Sequence, residues 1–204
     1  MQAKPLFVTG IGTGIGKTLI SAILVEKLKA DYWKPVQAGE LDNSDTMKVK
    51  SLVSNTTSVF HPETYRLTQP YSPHKAAMLD SIAIDEKEIS LPQTNNQLII
   101  EGAGGLMVPL NDHFLMIDMV KQLDAEVVLV SQNYLGSINH TLLSVEALQQ
   151  RNIPIKGIIF NGEANSSTEE FILSYTKVKL LGKIEMLTDI SKQSVADAQN
   201  GLVL

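Results

Sequence analysis

The sequence predicts a doubly wound α/β fold in which a mainly parallel sheet carries helices on both faces. Short apolar runs recur along the chain, and they are apolar at successive positions rather than alternating. Runs of this kind are typical of strands buried on both faces of a parallel sheet. Helical patterns follow several of the runs, and strands that alternate with helices build a doubly wound sheet. Ligands of such sheets bind beyond the carboxyl ends of the strands.

The predicted strands are the apolar runs at residues 6–9, 98–100, 127–130 and 158–160, with one more strand ending at Lys34. Polar residues follow these strands and should therefore converge: Gly10 onward, Lys34, Glu101, residues 131–133 and Asn161. Apolar residues at helical spacing from Ile20 to Leu28 predict an amphipathic helix after the first strand. Ser72-Pro73 predicts the start of a short helix through Leu79. Residues 85–96 form either a short helix or a loop.

Length and composition indicate a single domain over residues 1–204 that buries a core without disulfides. There is no cysteine, which excludes thiolate metal sites and a cysteine nucleophile. The net charge is −5 and no run of Lys or Arg occurs, so we expect no nucleic-acid groove. No apolar stretch reaches membrane-spanning length and no secretory signal is recognisable. We expect a cytoplasmic protein that binds neither nucleic acid nor a membrane.

The strongest motif is Thr9-Gly10-Ile11-Gly12-Thr13-Gly14-Ile15-Gly16-Lys17-Thr18, between the first strand and its helix. Glycines allow successive backbone N–H groups to face a phosphate, and the helix N-terminus adds positive potential. A lysine here reaches the β- and γ-phosphates and a threonine ligates Mg²⁺, so the fold is of the P-loop NTPase type. The alternatives are a glycine-rich turn without a ligand and a dinucleotide loop. Counted from Gly10, the loop is one residue longer than the strict motif. The predicted nucleotide-binding residues are Gly12, Thr13, Gly14, Ile15, Gly16, Lys17 and Thr18.

Two carboxylates are candidates for completing a Mg²⁺ site, because this hard ion prefers oxygen ligands. Glu101 follows a buried strand, where a charge needs a partner, and precedes four small residues. Asp45 lies at the start of a predicted helix through Val49 and Leu52. Its alternative interpretation is a helix cap.

Several segments, in this order, resemble dethiobiotin synthetases. They are Phe7-Val8-Thr9-Gly10 with the loop that follows, Lys34-Pro35-Val36-Gln37-Ala38-Gly39, Asn43-Ser44-Asp45, Ser72-Pro73-His74, Glu101-Gly102-Ala103-Gly104-Gly105, Leu135-Gly136-Ser137-Ile138-Asn139-His140 and Asn161. The long loop is itself a trait of that family. The resemblance implies ATP- and Mg²⁺-dependent carboxylation of 7,8-diaminononanoate with CO₂ or bicarbonate. A carbamate forms, the γ-phosphoryl group makes it a mixed anhydride, and the second amine closes the ureido ring.

The resemblance also implies a role for each matched residue. Lys17, Lys34 and Thr13 would be catalytic, and Thr18, Asp45 and Glu101 would hold Mg²⁺. Asn161 would bind the adenine edge, and a turn at residues 181–184 would flank the base. The substrate would contact Lys34, Gln37, Ala38, Gly104, Gly136, Ser137, Ile138 and Asn139.

The segment at residues 136–139 is implied to bind the tail carboxylate of the diamine across a homodimer interface, so that a second subunit completes each site. Ser137 as a simple N-cap of the following helix is the alternative. Ala38 departs from the hydroxyl residue of many family members, so the hydroxyl contact expected there is either lost or supplied elsewhere, with Gln37 as the candidate.

Two other classes of P-loop protein are alternatives to this interpretation. A partitioning-type ATPase switch usually carries a second lysine early in the loop, and residues 11–14 contain none. A cobyrinate-amidating synthetase needs a glutamine-hydrolysing domain with a cysteine nucleophile, which this chain lacks. The four histidines show no metal-ligand spacing.

Overall fold

The computed structural model describes residues 4–204. The strands within that range are β1 (Leu6–Gly10), β2 (Asp31–Trp33), β3 (Val36–Ala38), β4 (Phe60–His61), β5 (Tyr65–Leu67), β6 (Leu98–Gly105), β7 (Glu126–Ser131), β8 (Ile155–Asn161) and β9 (Leu180–Ile184). The helices are α1 (Lys17–Leu28), α2 (Asp45–Leu52), α3 (Pro73–Leu79), α4 (Met116–Gln122), α5 (Ser137–Gln150), α6 (Ser166–Thr176) and α7 (Lys192–Ala198). Short 3₁₀ turns lie at Leu41–Asn43, Glu86–Glu88 and Gln199–Gly201.

Seven of these strands form one sheet in the order β4-β2-β6-β1-β7-β8-β9, and every pair in it is parallel. Strand β1 lies at the centre, with Val8 opposite Glu101 of β6 and Val128 of β7. Strands β3 and β5 form a separate parallel pair beside it. Because all strands of the main sheet point the same way, the loops after β1, β2 and β6 meet at one edge.

Side chains of the central strands alternate between two apolar clusters, one on each face of the sheet. Phe7 points into a cluster with α3, α4, α5 and α6, whereas Leu6 and Val8 point into a cluster with α1, α2 and α7. Each strand therefore buries both of its faces, which explains why its sequence shows no polar alternation. The predicted doubly wound fold with helices on both faces is confirmed.

The predicted strands lie where the sequence places them, but one strand end and one predicted turn were wrong. Glu101 does not end its strand, because β6 continues through the small residues until Gly105 pairs with Gly10. Residues 181–184, expected as a turn, belong to β9 and pair with β8. Leu181 and Ile184 are buried there, and this burial outweighs the turn tendency of Gly182 and Lys183.

The predicted helices at the start of the chain and after Ser72 are present in the structure. Helix α1 begins at Lys17, directly after Gly16. Helix α3 occupies the predicted place after Ser72. The segment at residues 85–96 contains a single 3₁₀ turn at Glu86–Glu88 and is otherwise loop. No helix within residues 4–204 has both the length and the apolar character needed to cross a membrane.

Candidate active site

A cavity of about 810 Å³ opens at the carboxyl ends of β1, β2 and β6. It brings together most of the site residues that the sequence predicts. The predicted residues in its lining are Thr13, Gly14, Gly16, Lys17, Thr18, Lys34, Gln37, Ala38, Asp45, Glu101 and Gly104. The segment at residues 70–73 supplies a wall that the sequence did not indicate. At this edge of the sheet the structure therefore brings together three of the predicted groups, namely Lys34, Glu101 and the loop after β1.

The phosphate loop is held in place from β8. Gly16 has φ +88°, and a Cβ there would lie 2.2 Å from Nδ2 of Asn161, so only glycine fits. Asn161 Nδ2 donates to the carbonyl of Ile15 at 2.9 Å. Asn161 thus holds the glycine-rich loop through a hydrogen bond from β8, and its binding of the base stays a prediction.

Lys17 is buried and its Nζ donates to the carbonyl oxygen of Gly12 at 2.9 Å. Burial lowers the pKa of Lys17 from its ordinary value of 10.5 to about 8, and the charge of Lys34 acts in the same direction. The carboxylates of Glu101 and Asp45 oppose this shift of the pKa. An anion beside Lys17 would offset the cost of desolvating its ammonium group.

Glu101 is 1% exposed, and both of its carboxylate oxygens have hydrogen-bond partners inside the protein. Oε1 accepts from Thr18 Oγ1 at 2.9 Å and from Lys34 Nζ at 3.2 Å. Oε2 accepts from the hydroxyl of Tyr32 at 2.9 Å. Burial, followed by the charge of Glu101, raises the pKa of Tyr32 well above its ordinary value, so this hydroxyl stays a donor. Sequence reasoning missed Tyr32; its position two residues before Lys34 is a local signal, but the pairing of β2 with β6 that brings it to Glu101 is seen only in the structure.

Lys34 is 3% exposed and lies between two carboxylates. Its Nζ is 2.9 Å from Oδ2 of Asp45, and it donates to Glu101 and, at 3.3 Å, to the carbonyl of Gly102. Burial by itself lowers the pKa of Lys34, but Glu101 and Asp45 outweigh it and the pKa is raised. The two carboxylates therefore favour the charged form of Lys34 in the floor of the cavity.

Asp45 is not the cap of α2. Ser44 occupies that position and accepts from the amide of Met47, so the capping interpretation of Asp45 is wrong. Ser44 takes this role because its backbone is extended, as a cap requires, whereas Asp45 is already helical. The carboxylate of Asp45 is left free to face Lys34. Desolvation raises the pKa of Asp45, but Lys34, Lys48 and the Thr18 hydroxyl together outweigh it and hold the pKa below its usual range.

The oxygens of Thr18, Asp45 and Glu101 form a donor set suited to Mg²⁺. Thr18 hydrogen-bonds to Glu101 and also stabilises the charged form of Asp45, so its hydroxyl lies beside both carboxylates. Two carboxylates and a hydroxyl are hard oxygen ligands of the kind this ion takes. Within residues 4–204, no group of three or more His, Cys, Asp or Glu side chains could hold a metal ion. A metal at this point would therefore use the Thr18 hydroxyl as a protein ligand in addition to the two carboxylates.

Residues 136–139 lie apart from this cavity. Gly136, Ser137 and Ile138 line a second cleft of about 490 Å³ between the start of α5 and the start of α6. Gly136, with φ +102°, is the N-cap of α5, so Ser137 as the N-cap is wrong. The buried Oγ of Ser137 has no hydrogen-bond partner among the described residues. A single copy of the described chain therefore does not bring this segment to Lys34.

Strand β1, the glycine-rich loop and the start of α1, with a threonine and two carboxylates at the phosphate end, define a P-loop NTPase. A family model described as an AAA domain matches residues 4–194. A protein from Christiangramia forsetii called ATP-dependent dethiobiotin synthetase BioD is 56% identical, over 89% of this chain and 87% of its own. One of the same name from Cytophaga hutchinsonii is 51% identical, over 94% and 93%. The chain belongs to the dethiobiotin synthetase family.

Solved structures with a similar fold come from more distant proteins. The septum site-determining protein MinD of Pyrococcus horikoshii, complexed with Mg-ADP, has a TM-score of 0.60 and 14% identity, over 96% of this chain and 86% of its own. A ParA family ATPase of Chlorobium tepidum has a TM-score of 0.57 and 15% identity, over 97% and 91%. Likeness at this identity shows the fold alone, and so it gives no support to the partitioning-type alternative.

Proposed function

We propose that the protein is an ATP-dependent ligase that carboxylates 7,8-diaminononanoate and closes the ureido ring of dethiobiotin, a step of biotin biosynthesis. Membership of the family supports the reaction. The observation within the site that carries it is Lys34, a buried cation in the same cavity as Lys17 and Thr18. A triphosphate site alone does not need a second buried lysine, whereas a carbamate beside the γ-phosphate does.

The reaction requires three steps. One amine of the substrate adds to CO₂ and loses a proton, which gives a carbamate. A carbamate oxygen then attacks the γ-phosphorus of ATP, and ADP leaves from the resulting carbamic-phosphoric anhydride. The second amine attacks the carbamate carbon, closes the ring and expels phosphate. Since each step carries anionic oxygens, catalysis depends on positioning and on charge neutralisation.

The two lysines would share this task. Lys17, at the start of α1, would hold the β- and γ-phosphates and follow the migrating phosphoryl group. Lys34 would bind the carbamate and the anhydride. Asp45 and Glu101 favour the charged form of Lys34, so its positive charge would already be in place when the amine adds to CO₂ and releases its proton. Thr13 lines the cavity between the phosphate loop and Gly104, where it would contact the carbamate or the γ-phosphate.

Thr18, Asp45 and Glu101 would hold Mg²⁺ with the nucleotide. Bound there, the ion would neutralise charge on the β- and γ-phosphates. Lys34 contacts both carboxylates, so the ligands would keep a compensating charge within the protein. Tyr32, through its bond to Oε2, keeps the Glu101 carboxylate oriented.

Binding of the two substrates would follow the remaining contacts. The backbone N–H groups of residues 12–18 would hold the phosphates, and Asn161 would bind the adenine edge. Ala38 and Gly104 line the cavity near Lys34 and would enclose the diamine end of the substrate, and Gln37 forms part of the same wall. We place the enzyme in the cytoplasm, where ATP is produced and consumed. We also expect the chain to form a single domain.

We further propose a homodimer whose second copy brings residues 136–139 to the cavity, with the tail carboxylate bound by the free N–H groups of α5. The surface beside that segment supports this. A groove of about 360 Å³ lined mainly by apolar residues runs between α5 and residues 105–108, and Met107 and Leu143 expose more than half of their surface at its edge. Exposed apolar patches of this kind are typical of interfaces.

The test of the proposed function is a reaction mixture of enzyme, ATP, Mg²⁺, bicarbonate and 7,8-diaminononanoate. We expect ADP, phosphate and a ureido product identified by mass, in equal amounts. ATP turnover that is the same with and without the diamine would show that the protein is not a synthetase.

A further inference from the structure

Gln37 lies in the cavity wall, but its amide is engaged within the protein. It is 4% exposed. Oε1 accepts from the backbone N–H of Asp45 at 3.1 Å, and Nε2 donates to the carbonyl of Gly39 at 2.9 Å. A hydrogen bond to substrate would compete with one of these bonds inside a buried site, where an unmatched polar group is costly.

The bond to Asp45 joins the small sheet to the first residue of α2. Gln37 is the central residue of β3, and Asp45 is the first residue of α2, whose N–H groups have no partner within the helix. Ser44 satisfies the amide of Met47, and Gln37 satisfies that of Asp45. The two bonds together fix the direction in which α2 begins.

The peptide that Gln37 holds carries the carboxylate that faces Lys34. Asp45 Oδ2 is 2.9 Å from Lys34 Nζ, and Lys34 comes from the chain just before β3. The turn between Gln37 and Asp45 is unusual, since Gly39 has φ +73° and Glu40 has φ +51°. A Cβ on Gly39 would lie 2.7 Å from Cβ of Pro70. The turn has little freedom to restore the position of Asp45 once the amide is lost.

We infer that Gln37 is a positioning residue that sets the Asp45 carboxylate for the metal and Lys34, and that it does not bind the diamine. This inference rests on the proposed role of Asp45 as a ligand of Mg²⁺. It replaces the expectation that Gln37 supplies the hydroxyl contact missing at Ala38. Partners that orient a metal ligand typically contribute about 10- to 100-fold to metal affinity or activity.

The test is a double-mutant cycle of Gln37→Met and Asp45→Asn. Mn²⁺ binding is measured by paramagnetic resonance titration with a non-hydrolysable ATP analogue, which needs no turnover, and the KM for the diamine is measured separately. We expect Gln37→Met to weaken Mn²⁺ binding about tenfold while the diamine KM changes little. In the Asp45→Asn background the same change should have almost no further effect on Mn²⁺ binding, because coupled residues are not additive.

Two controls keep the result interpretable. Gln122→Met removes another glutamine amide with two backbone partners, because its Nε2 donates to the carbonyls of Glu86 and Ile89 outside the cavity, so Mn²⁺ affinity should stay the same. Gln37→Glu keeps an acceptor for the Asp45 amide, and we expect no weakening of Mn²⁺ binding. This second variant also serves if Gln37→Met does not fold, since weakened Mn²⁺ binding in Gln37→Glu would overturn the inference.

The outcomes separate the inference from the function on which it rests. If Asp45→Asn weakens Mn²⁺ binding but Gln37→Met does not, or if Gln37→Met raises the diamine KM equally in both backgrounds, Gln37 is not acting through Asp45. If Asp45→Asn itself leaves Mn²⁺ binding unchanged, the proposed metal site is wrong.

Discussion

The hydroxyl of Thr18 donates to Oε1 of Glu101 at 2.9 Å, although 83 residues separate them in the sequence. The bond joins the first turn of α1, the helix that follows β1 and the glycine-rich loop, to the middle of β6, which pairs with β1. The same oxygen of Glu101 accepts from Lys34. The phosphate loop and the second lysine therefore share one buried carboxylate, and changes at Glu101 should affect both.

Glu101→Gln should show this double effect. It removes the charge that Thr18 and Lys34 share, so we expect Mg²⁺ activation to need at least about tenfold more metal and the maximal rate to fall. Tyr32→Phe is the matched milder change, because it deletes only the bond to Oε2 and should cost about 1–2 kcal/mol of stability. Mg²⁺ titrations of initial rate and thermal unfolding distinguish the two. Equal Mg²⁺ dependence in Glu101→Gln and the unchanged protein would contradict this role.

Lys34→Ala should keep nucleotide affinity and abolish ring closure. Lys34 contacts Asp45, Glu101 and the carbonyl of Gly102, while the phosphate loop is held separately by Asn161. We expect a rate loss of about 100-fold or more, as for other groups that stabilise a developing anion. Binding of ADP by calorimetry and product formation by mass are the two measurements. Product formation at the original rate would remove Lys34 from the mechanism.

ATP affinity should depend on pH through Lys17. Burial lowers the pKa of Lys17 to about 8, so the free enzyme loses this proton as the pH rises through that value. Only the charged form should bind the phosphates well. Affinity should therefore be constant below pH 8 and fall by about tenfold for each pH unit above it. Lys17→Arg keeps its charge and should bind ATP more weakly but with no such fall; a fall of equal slope in that variant would show that another group is responsible.

Asn139→Ala should raise the KM for the diamine more than the KM for ATP. Asn139 is exposed in the first turn of α5 and lies outside the main cavity, so its effect depends on tail recognition. Gln150→Ala, at the other end of the same helix, is the control and should change neither constant. Equal effects of Asn139→Ala on both KM values would argue against a carboxylate site at the start of α5.

Leu143→Glu should separate the proposed dimer. Leu143 lies on α5 at the apolar groove and is 55% exposed. A charge there opposes burial against a second copy, so we expect a monomer by light scattering and loss of ring closure, while nucleotide binding remains. Phe171→Glu, an equally exposed apolar position on α6, should leave the mass unchanged. If Leu143→Glu has the mass of the unchanged protein and full activity, the interface is elsewhere.

The sequence predicted what depends on short-range patterns. The strand, glycine-rich loop and helix around Lys17 are contiguous, and Lys34 and Glu101 each come directly after a recognisable apolar run. Their meeting in one cavity follows from parallel strands that end at one edge of a sheet. A run such as Val127 to Val130 is apolar at every position. Its sequence therefore identifies the middle of the strand but not the residues at which the strand begins and ends.

What the sequence did not predict depends on pairings between distant segments. The hydroxyl of Tyr32 on Glu101 requires β2 and β6 to be neighbours, which no local pattern indicates. The bond from Gln37 to Asp45 depends on the turn at Gly39 and Glu40. Strand β9 contains Gly182 and Lys183, which favour a turn locally, and only its pairing with β8 makes it a strand.

In the proposed mechanism the carbamate, rather than water, attacks ATP in the cavity beside Lys34. A single turnover with ¹⁸O-labelled bicarbonate, started before the label exchanges with water, distinguishes these two nucleophiles. Because a carbamate oxygen becomes the bridging oxygen of the anhydride and leaves with the phosphoryl group, we predict one labelled oxygen in the released phosphate and label in the ureido carbonyl. Released phosphate without ¹⁸O, beside a labelled ureido product, would contradict the proposed anhydride.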